Sequence, residues 1–374
     1  MDILILNWRD IENPQKGGAE IIIYELAKRL IEKGNSVTWF CESFKRAKKN
    51  ENIKGIKVIR KGSRYTVGFY AMLFYKSLKR KPDVVLDCVN TFCWQTPLYV
   101  EKKRRIFYAN QSARKVFFYQ YPFPISVFGF LFEPLQYLSY KKTSTICYSQ
   151  SIKDDLITFG LPKDNINVFP LGIDHARYKM TKKSKDPSFI FVSRLVDYKR
   201  PKLCVEAAKV VIKKYPEMKL YIVGYGPQED ELKKLIKKNN LNSNVFIVNN
   251  NNNFLEKNSK DIKVKLMQEA WALILCSVKE GWGMVVTEAA ACGTPSIVSN
   301  VTGLKDSVIH NKTGFILSEN PSPLQLSNAI IKIIEDEKLR QNLSREAFSF
   351  AKTFSWEKSF DAFYDIVKKT IKQN

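Results

Sequence analysis

The sequence lacks the marks of a metal protein and of a secreted, cross-linked one. It has two histidines, His175 and His310, and its seven cysteines include no C-x-x-C pair, which argues against a structural zinc site. Asp2 is followed at once by the strand-like run ILILNW; this is no secretory leader, so reduced thiols and a cytoplasmic location are expected. Acids are scarce beside bases, 37 against 61, for a net charge of +24. That excess runs through both halves and implies an anionic partner: a phosphate-bearing substrate, a nucleic acid or an acidic membrane. No long internal repeat is present, and low complexity is confined to the asparagine run 249–253.

What is present reads as α/β. The 374 residues, 45 % of them hydrophobic, suffice for two domains. An apolar run at 2–7 is followed by a loop and then AEIIIYELAKRLIEKG, helical in period from Ala19 and closed by Gly34. VTWF, KVIR, DVVLDC and RIFY read as further strands. The polar stretch KMTKKSKD (179–186) is the expected linker. Beyond it a second series begins, with strands SFIFV, KLYIVG, NVFIV, WALILCS and PSIVS alternating with helices. Two doubly wound domains are expected, 1–178 and 179–355, facing each other across a cleft. The segment 356–374 carries Trp356, Phe360, Phe363 and Val367 on one helical face, which requires a docking surface.

Ligands of open α/β sheets bind outside the carboxyl ends of the strands, and three loops of the second domain carry matching chemistry there. After WALILCS comes SVKEGWGMVVTE, with Glu280 and Glu288 eight residues apart and a turn at Gly281 and Gly283 that opens a short helix at Met284 and Val285. This helix is apolar on nearly all sides, so Glu288 requires hydrogen-bond donors, which ligand hydroxyls would supply. A second loop, SRLVDYKRP (193–201), sends Arg194, Lys199 and Arg200 to the same edge, where a diphosphate would neutralise clustered cations. The third, GYGP (224–227), offers exposed amides around Gly226.

With these residues in place the chain resembles a family 4 glycosyltransferase of the GT-B fold. Glu280 and Glu288 fit the family's E-x7-E signature, and GGAE (17–20), CYSQSIKDDL (147–156), VFPLGID (168–174), LYIVGYGPQEDELKKL (220–235) and ACGTPSIVSNVTGLKDSV (291–308) are also similar. The resemblance implies that Glu288 binds the ribose hydroxyls of a nucleoside-diphosphate sugar and Glu280 those of the sugar. It implies that Arg194 and Lys199 hold the diphosphate, and that Gly17 and Gly18 admit the backbone and the helix from Ala19 toward it. It further implies retention at the anomeric carbon, domain closure and a terminal helix packed back on the first domain; a UDP- or GDP-linked donor is expected, with no residue that selects the base. No D-x-D occurs, in keeping with a leaving group stabilised by Arg and Lys without a metal or other cofactor. Competing readings are a GT-B nucleotide-sugar epimerase and a non-catalytic basic protein that binds membrane or nucleic acid; no nucleic-acid motif accompanies the charge.

The chain departs from the family in one respect. Many relatives place a histidine after a strand of the first domain, and here Asn110 or Gln111 takes that slot. An amide hydrogen-bonds a sugar hydroxyl but is no general acid or base. The asparagine run 249–253 stands where a nucleobase contact is expected.

Residues 116–140, VFFYQYPFPISVFGFLFEPLQYLSY, contain ten aromatics and a single charge, Glu133, between Arg114-Lys115 and Lys141-Lys142. Prolines and Glu133 argue against a spanning helix. With the aromatic, basic stretch 64–81, the segment reads either as a peripheral face for an anionic membrane and a lipid-linked or glycan acceptor, or as a core helix and loop.

Overall fold

The computed structural model describes residues 1–248 and 257–372. The chain forms two compact units, Met1–Gly172 with Trp356–Asn374, and Ile173–Ser355.

The first unit is built on eight strands: β1 (Asp2–Leu6), β2 (Ser36–Cys41), β3 (Asn50–Ile53), β4 (Ile56–Arg60), β5 (Val84–Val89), β6 (Arg105–Ala109), β7 (Ser144–Cys147) and β8 (Ile166–Val168). Their order is β3-β4-β2-β1-β5-β6-β7-β8, and every pairing is parallel except β3 with β4. Helices cover both faces of a parallel sheet, so β5 and β6 are buried at every position and read as apolar runs interrupted only by Asp87 and Arg105. Two buried acids need partners. Asp10, after β1, takes a bidentate grip from Arg60 at 2.6 and 3.1 Å. Asp87 of β5 accepts from Tyr140 at 2.5 Å and Thr96 at 2.7 Å.

The helix Trp356–Lys372 packs in this unit. Phe363 is fully buried with its ring 5.9 Å from that of Phe169. Trp356 lies so close to Gly172 that a Cβ there would fall 2.6 Å from its Cα, and the Arg29 guanidinium sits 5.5 Å from the indole.

The second unit has β9 (Ser188–Val192), β10 (Lys219–Val223), β11 (Val245–Val248), β12 (Ala272–Leu275), β13 (Ser296–Ser299) and β14 (Gly314–Leu317). The order is β11-β10-β9-β12-β13-β14, parallel throughout. The division of the chain falls upstream of 179–186, the expected linker. The physical reason is Lys183, whose ammonium donates to the carbonyls of Gln268 and Cys292 and to the Thr294 hydroxyl, tying that polar stretch into the second unit.

Segment 116–140 divides by face. Phe117, Tyr137 and Tyr140 are core, whereas Phe123, Ile125, Phe128, Leu131, Phe132, Leu135 and Leu138 are exposed. The helix Ile125–Phe132 runs into a 3-10 stretch, Glu133–Tyr140. Glu133, the lone acid, is buried because its two carboxylate oxygens cap the amides of Ala113 and Arg114, each at 2.6 Å. Among the described residues no helix is long and apolar enough to cross a membrane.

Candidate functional site

Strand order in the second sheet reverses between β9 and β12, the two strands that leave the centre in opposite directions. Adjacent loops diverge at such a point and open a crevice at the carboxyl ends. The loop after β9 carries Arg194 and Lys199, and the loop after β12 carries Glu280. A backbone bond from Val278 N to Tyr198 O, 2.8 Å, laces them together.

Lys199 pairs with Glu280 Oε1, and Ser277 Oγ donates to the same oxygen at 2.9 Å. Both side chains are largely shielded, at 10 % and 15 % exposure, so neither charge is left alone in a poorly solvated place. Arg194 is exposed and donates to the Tyr198 hydroxyl at 2.7 Å. Arg200 turns away to the Glu319 carbonyl and the Asn320 amide oxygen. The three cations expected at one edge therefore divide: Lys199 is paired with Glu280, and Arg200 serves the β14 end of the sheet.

The glycines hold these loops at close quarters. Gly283 has φ 83° and precedes the helix Met284–Ala291, a conformation that costs a side chain dearly. Gly281 and Gly283 are buried, and Met284 and Val285 are half-exposed at the helix start. Trp282 donates its indole N–H to Thr287 at 2.8 Å and so fastens the turn to the helix. Gly226 has a packing reason of its own, since a Cβ there would lie 2.4 Å from the Leu195 carbonyl oxygen.

Glu288 does not wait for ligand hydroxyls as donors. Lys263, on the helix Lys257–Glu269, places Nζ 2.5 Å from Glu288 Oε2 and 3.3 Å from the Tyr178 hydroxyl. Burial first, then the charge of Glu288, holds the Tyr178 phenol well above its ordinary range, so it remains a protonated donor to that carboxylate. Neither Lys263 nor Tyr178 is marked by sequence. Each comes from an element outside the strand-end loops, and no spacing links them to Glu288.

In the first unit Gly17 precedes the helix Gly18–Glu32, which starts one residue before Ala19. Its amide donates to Glu20 Oε2 at 2.6 Å, so the carboxylate of GGAE already occupies that donor; Gly18 is exposed. Asn110 follows β6, is 1 % exposed, and neither its Oδ1 nor its Nδ2 has a hydrogen-bond partner. Buried amides are seldom left so. Gln111 beside it is half-exposed. The nucleobase contact expected at 249–253 lies outside the described residues.

Two doubly wound α/β units in one chain, with carboxylates and cations gathered at the second switch point, place the protein in the GT-B class of fold. The chain belongs to the family 4, or group 1, glycosyltransferases: "Glycosyltransferase Family 4" matches residues 16–177 and "Glycosyl transferases group 1" residues 173–350. It is 31 % identical over 167 residues to the poly(glycerol-phosphate) alpha-glucosyltransferase of Bacillus subtilis, covering 44 % of this chain and 23 % of that one. The chain spans less than two thirds of the length of the curated relatives it matches first. Solved structures share the fold over the whole chain. Sucrose-phosphate synthase from Thermosynechococcus elongatus has a TM-score of 0.78 at 18 % identity, with 100 % of both chains covered. Anabaena HepE in complex with UDP-glucose has a TM-score of 0.72 at 18 % identity, with 98 % and 99 % covered.

Proposed function

We propose that the protein transfers a sugar from a nucleoside-diphosphate sugar to a lipid-linked or glycan acceptor with retention of configuration. The observation that carries this reading is the meeting of Lys199, Arg194 and Glu280 at the β9–β12 switch point. In this reading the diphosphate draws on Arg194 and Lys199, which stabilise the charge that develops as the nucleoside diphosphate leaves. No metal is assigned a part. Glu280, released from Lys199 by that exchange, accepts from hydroxyls of the sugar, and Glu288 accepts from the ribose. The helix start at the half-exposed residues Met284 and Val285 adds a helix N-terminus to the anion's surroundings. Gly17, Gly18 and Gly226 permit close approach of backbone to the donor.

Asn110 replaces a general acid or base with an amide, so the reaction proposed is a front-face departure in which the leaving phosphate accepts the acceptor's proton. A sugar hydroxyl would satisfy the unpartnered amide of Asn110, with Gln111 at its side. UDP is favoured over GDP by the likeness to a protein solved with UDP-glucose. We further propose that the exposed aromatics of 116–140, with 64–81, rest peripherally on an anionic membrane on its cytoplasmic side.

Thermal shifts with UDP, GDP and their glucose and mannose conjugates, on wild type and Glu288→Ala, test the donor site. UDP is expected to raise the Tm of wild type and to lose most of that effect in the variant. A folded protein that responds to no nucleotide sinks the reading.

A further inference from the structure

A second charged concavity lies at the other end of the first sheet. The amino ends of β7 and β8 and the terminal helix enclose about 400 Å³ lined by Lys102, Lys141, Lys142, Lys369, Ser144 and Asn167. The four lysines are exposed, and none forms an ion pair with a described carboxylate; Asp164 is the only acid in the lining. Four cations against one acid, in a recess rather than on an open face, call for an anion.

What sits beside the recess narrows that anion. Lys141 and Lys142 follow directly on the stretch Glu133–Tyr140. The exposed residues Ile125, Phe128, Leu131, Phe132, Leu135 and Leu138 recur at three- and four-residue spacings up to that point. Leu138 and Lys141 border the same glycine: a Cβ on Gly160 would lie 3.7 Å from one and 3.6 Å from the other. The Lys141 carbonyl is fixed by a 2.8 Å bond from Asn165. An apolar stripe seated in the interface buries to a depth of about 5–10 Å, which puts lysines at its end level with the phosphates.

We propose that this recess holds the phosphate of an anionic phospholipid headgroup, with Lys141, Lys142 and Lys369 as its cations and Ser144 and Asn167 as polar neighbours. It rests on the membrane contact proposed above and concerns a site at the strand ends opposite those that carry the donor loops. Ammonium groups bind phosphate as point charges without demanding one fixed geometry, which suits a headgroup that arrives in a fluid surface.

Sedimentation with phosphatidylglycerol–phosphatidylcholine vesicles, and with phosphatidylcholine alone, tests this. Lys141→Gln/Lys142→Gln/Lys369→Gln should weaken partitioning to the anionic vesicles about a hundredfold, at roughly fivefold per lysine near the surface. A control of equal charge, Lys209→Gln/Lys237→Gln/Lys238→Gln in the second unit, should change it less than about twofold if the loss belongs to the recess and not to net charge. Ser144→Ala/Asn167→Ala, which leaves every charge in place, should still weaken it several-fold. Equal losses in the two lysine variants, or no loss in the neutral one, overturn the recess and leave the membrane contact standing. Wild type that binds neither vesicle overturns both. Calorimetric binding of inorganic phosphate as tight as that of vesicles overturns the lipid in favour of a soluble anion. A UDP-induced thermal shift retained in the lysine variant separates these outcomes from failure of the donor site.

Discussion

Asp87 shows how much a single residue asks of its surroundings. It is fully buried, and burial pushes its pKa up to about 6 despite hydrogen bonds from Tyr140, Thr96 and the Trp94 amide. A carboxyl whose folded pKa lies above its ordinary value of 3.8 supports the fold while protonated and loses that support as pH rises through about 6. Measured against Asp87→Asn by chemical denaturation, the wild type should therefore lose up to about 3 kcal/mol of unfolding free energy between pH 4 and pH 7. In Asp87→Asn that contribution is absent, whatever the variant's absolute stability. The carboxylates of the second unit follow another logic. Glu280 and Glu288 sit in shielded positions, each opposite an ammonium partner, Lys199 and Lys263. Both acids were legible in the sequence, since they fall in a strand-end loop and in the helix it opens. Lys263 and Tyr178 were not, since a hydrogen bond across 25 residues or more leaves no periodic trace.

At the scale of elements, legibility followed burial. Strands covered on both faces, such as β5, β6 and β12, are largely apolar runs that composition reveals. β3, with the sequence NENI, pairs antiparallel at one edge and is never fully buried; β8, at the other edge, exposes two of its three residues. Neither presents a pattern. The aromatic segment 116–140 could not be assigned from sequence because it is core on one side and exposed on the other, and its composition averages the two. Loop glycines are an exception, legible as turns but not in their reasons. Gly226 faces the Leu195 carbonyl at a distance no Cβ tolerates. Gly226→Ala should push the loop at 224–227 off the Arg194 loop and weaken UDP binding about tenfold or more, a cost of roughly 1.4 kcal/mol. Calorimetric titration measures this, and unchanged affinity would mean that the two loops separate without consequence for the nucleotide.

For the molecule as a whole, the two units differ in how their chain is assembled. The second is one continuous segment, and the first is completed by the terminal helix. Phe360, Phe363 and Val367 on that helix are 3 %, 0 % and 1 % exposed. A chain ended at Ser355 forfeits three large buried side chains, each contributing about 1.5–3 kcal/mol. Thermal unfolding of the truncated protein should show early melting of the first unit, with the UDP-dependent transition of the second retained. A single transition at the wild-type temperature would contradict the division.

The position of the terminal helix also bears on biosynthesis. Domains ordinarily mature in the order in which they are made, the N-terminal one first. Here the first 172 residues emerge early but lack the helix that covers Phe169 and Gly172 until residues 356–372 have been made. The second unit, synthesised later, has all of its sequence sooner. The apolar ground meant for Phe363 is thus exposed until that helix is made, and the nascent first unit is the part of the chain that chaperones would have most reason to hold.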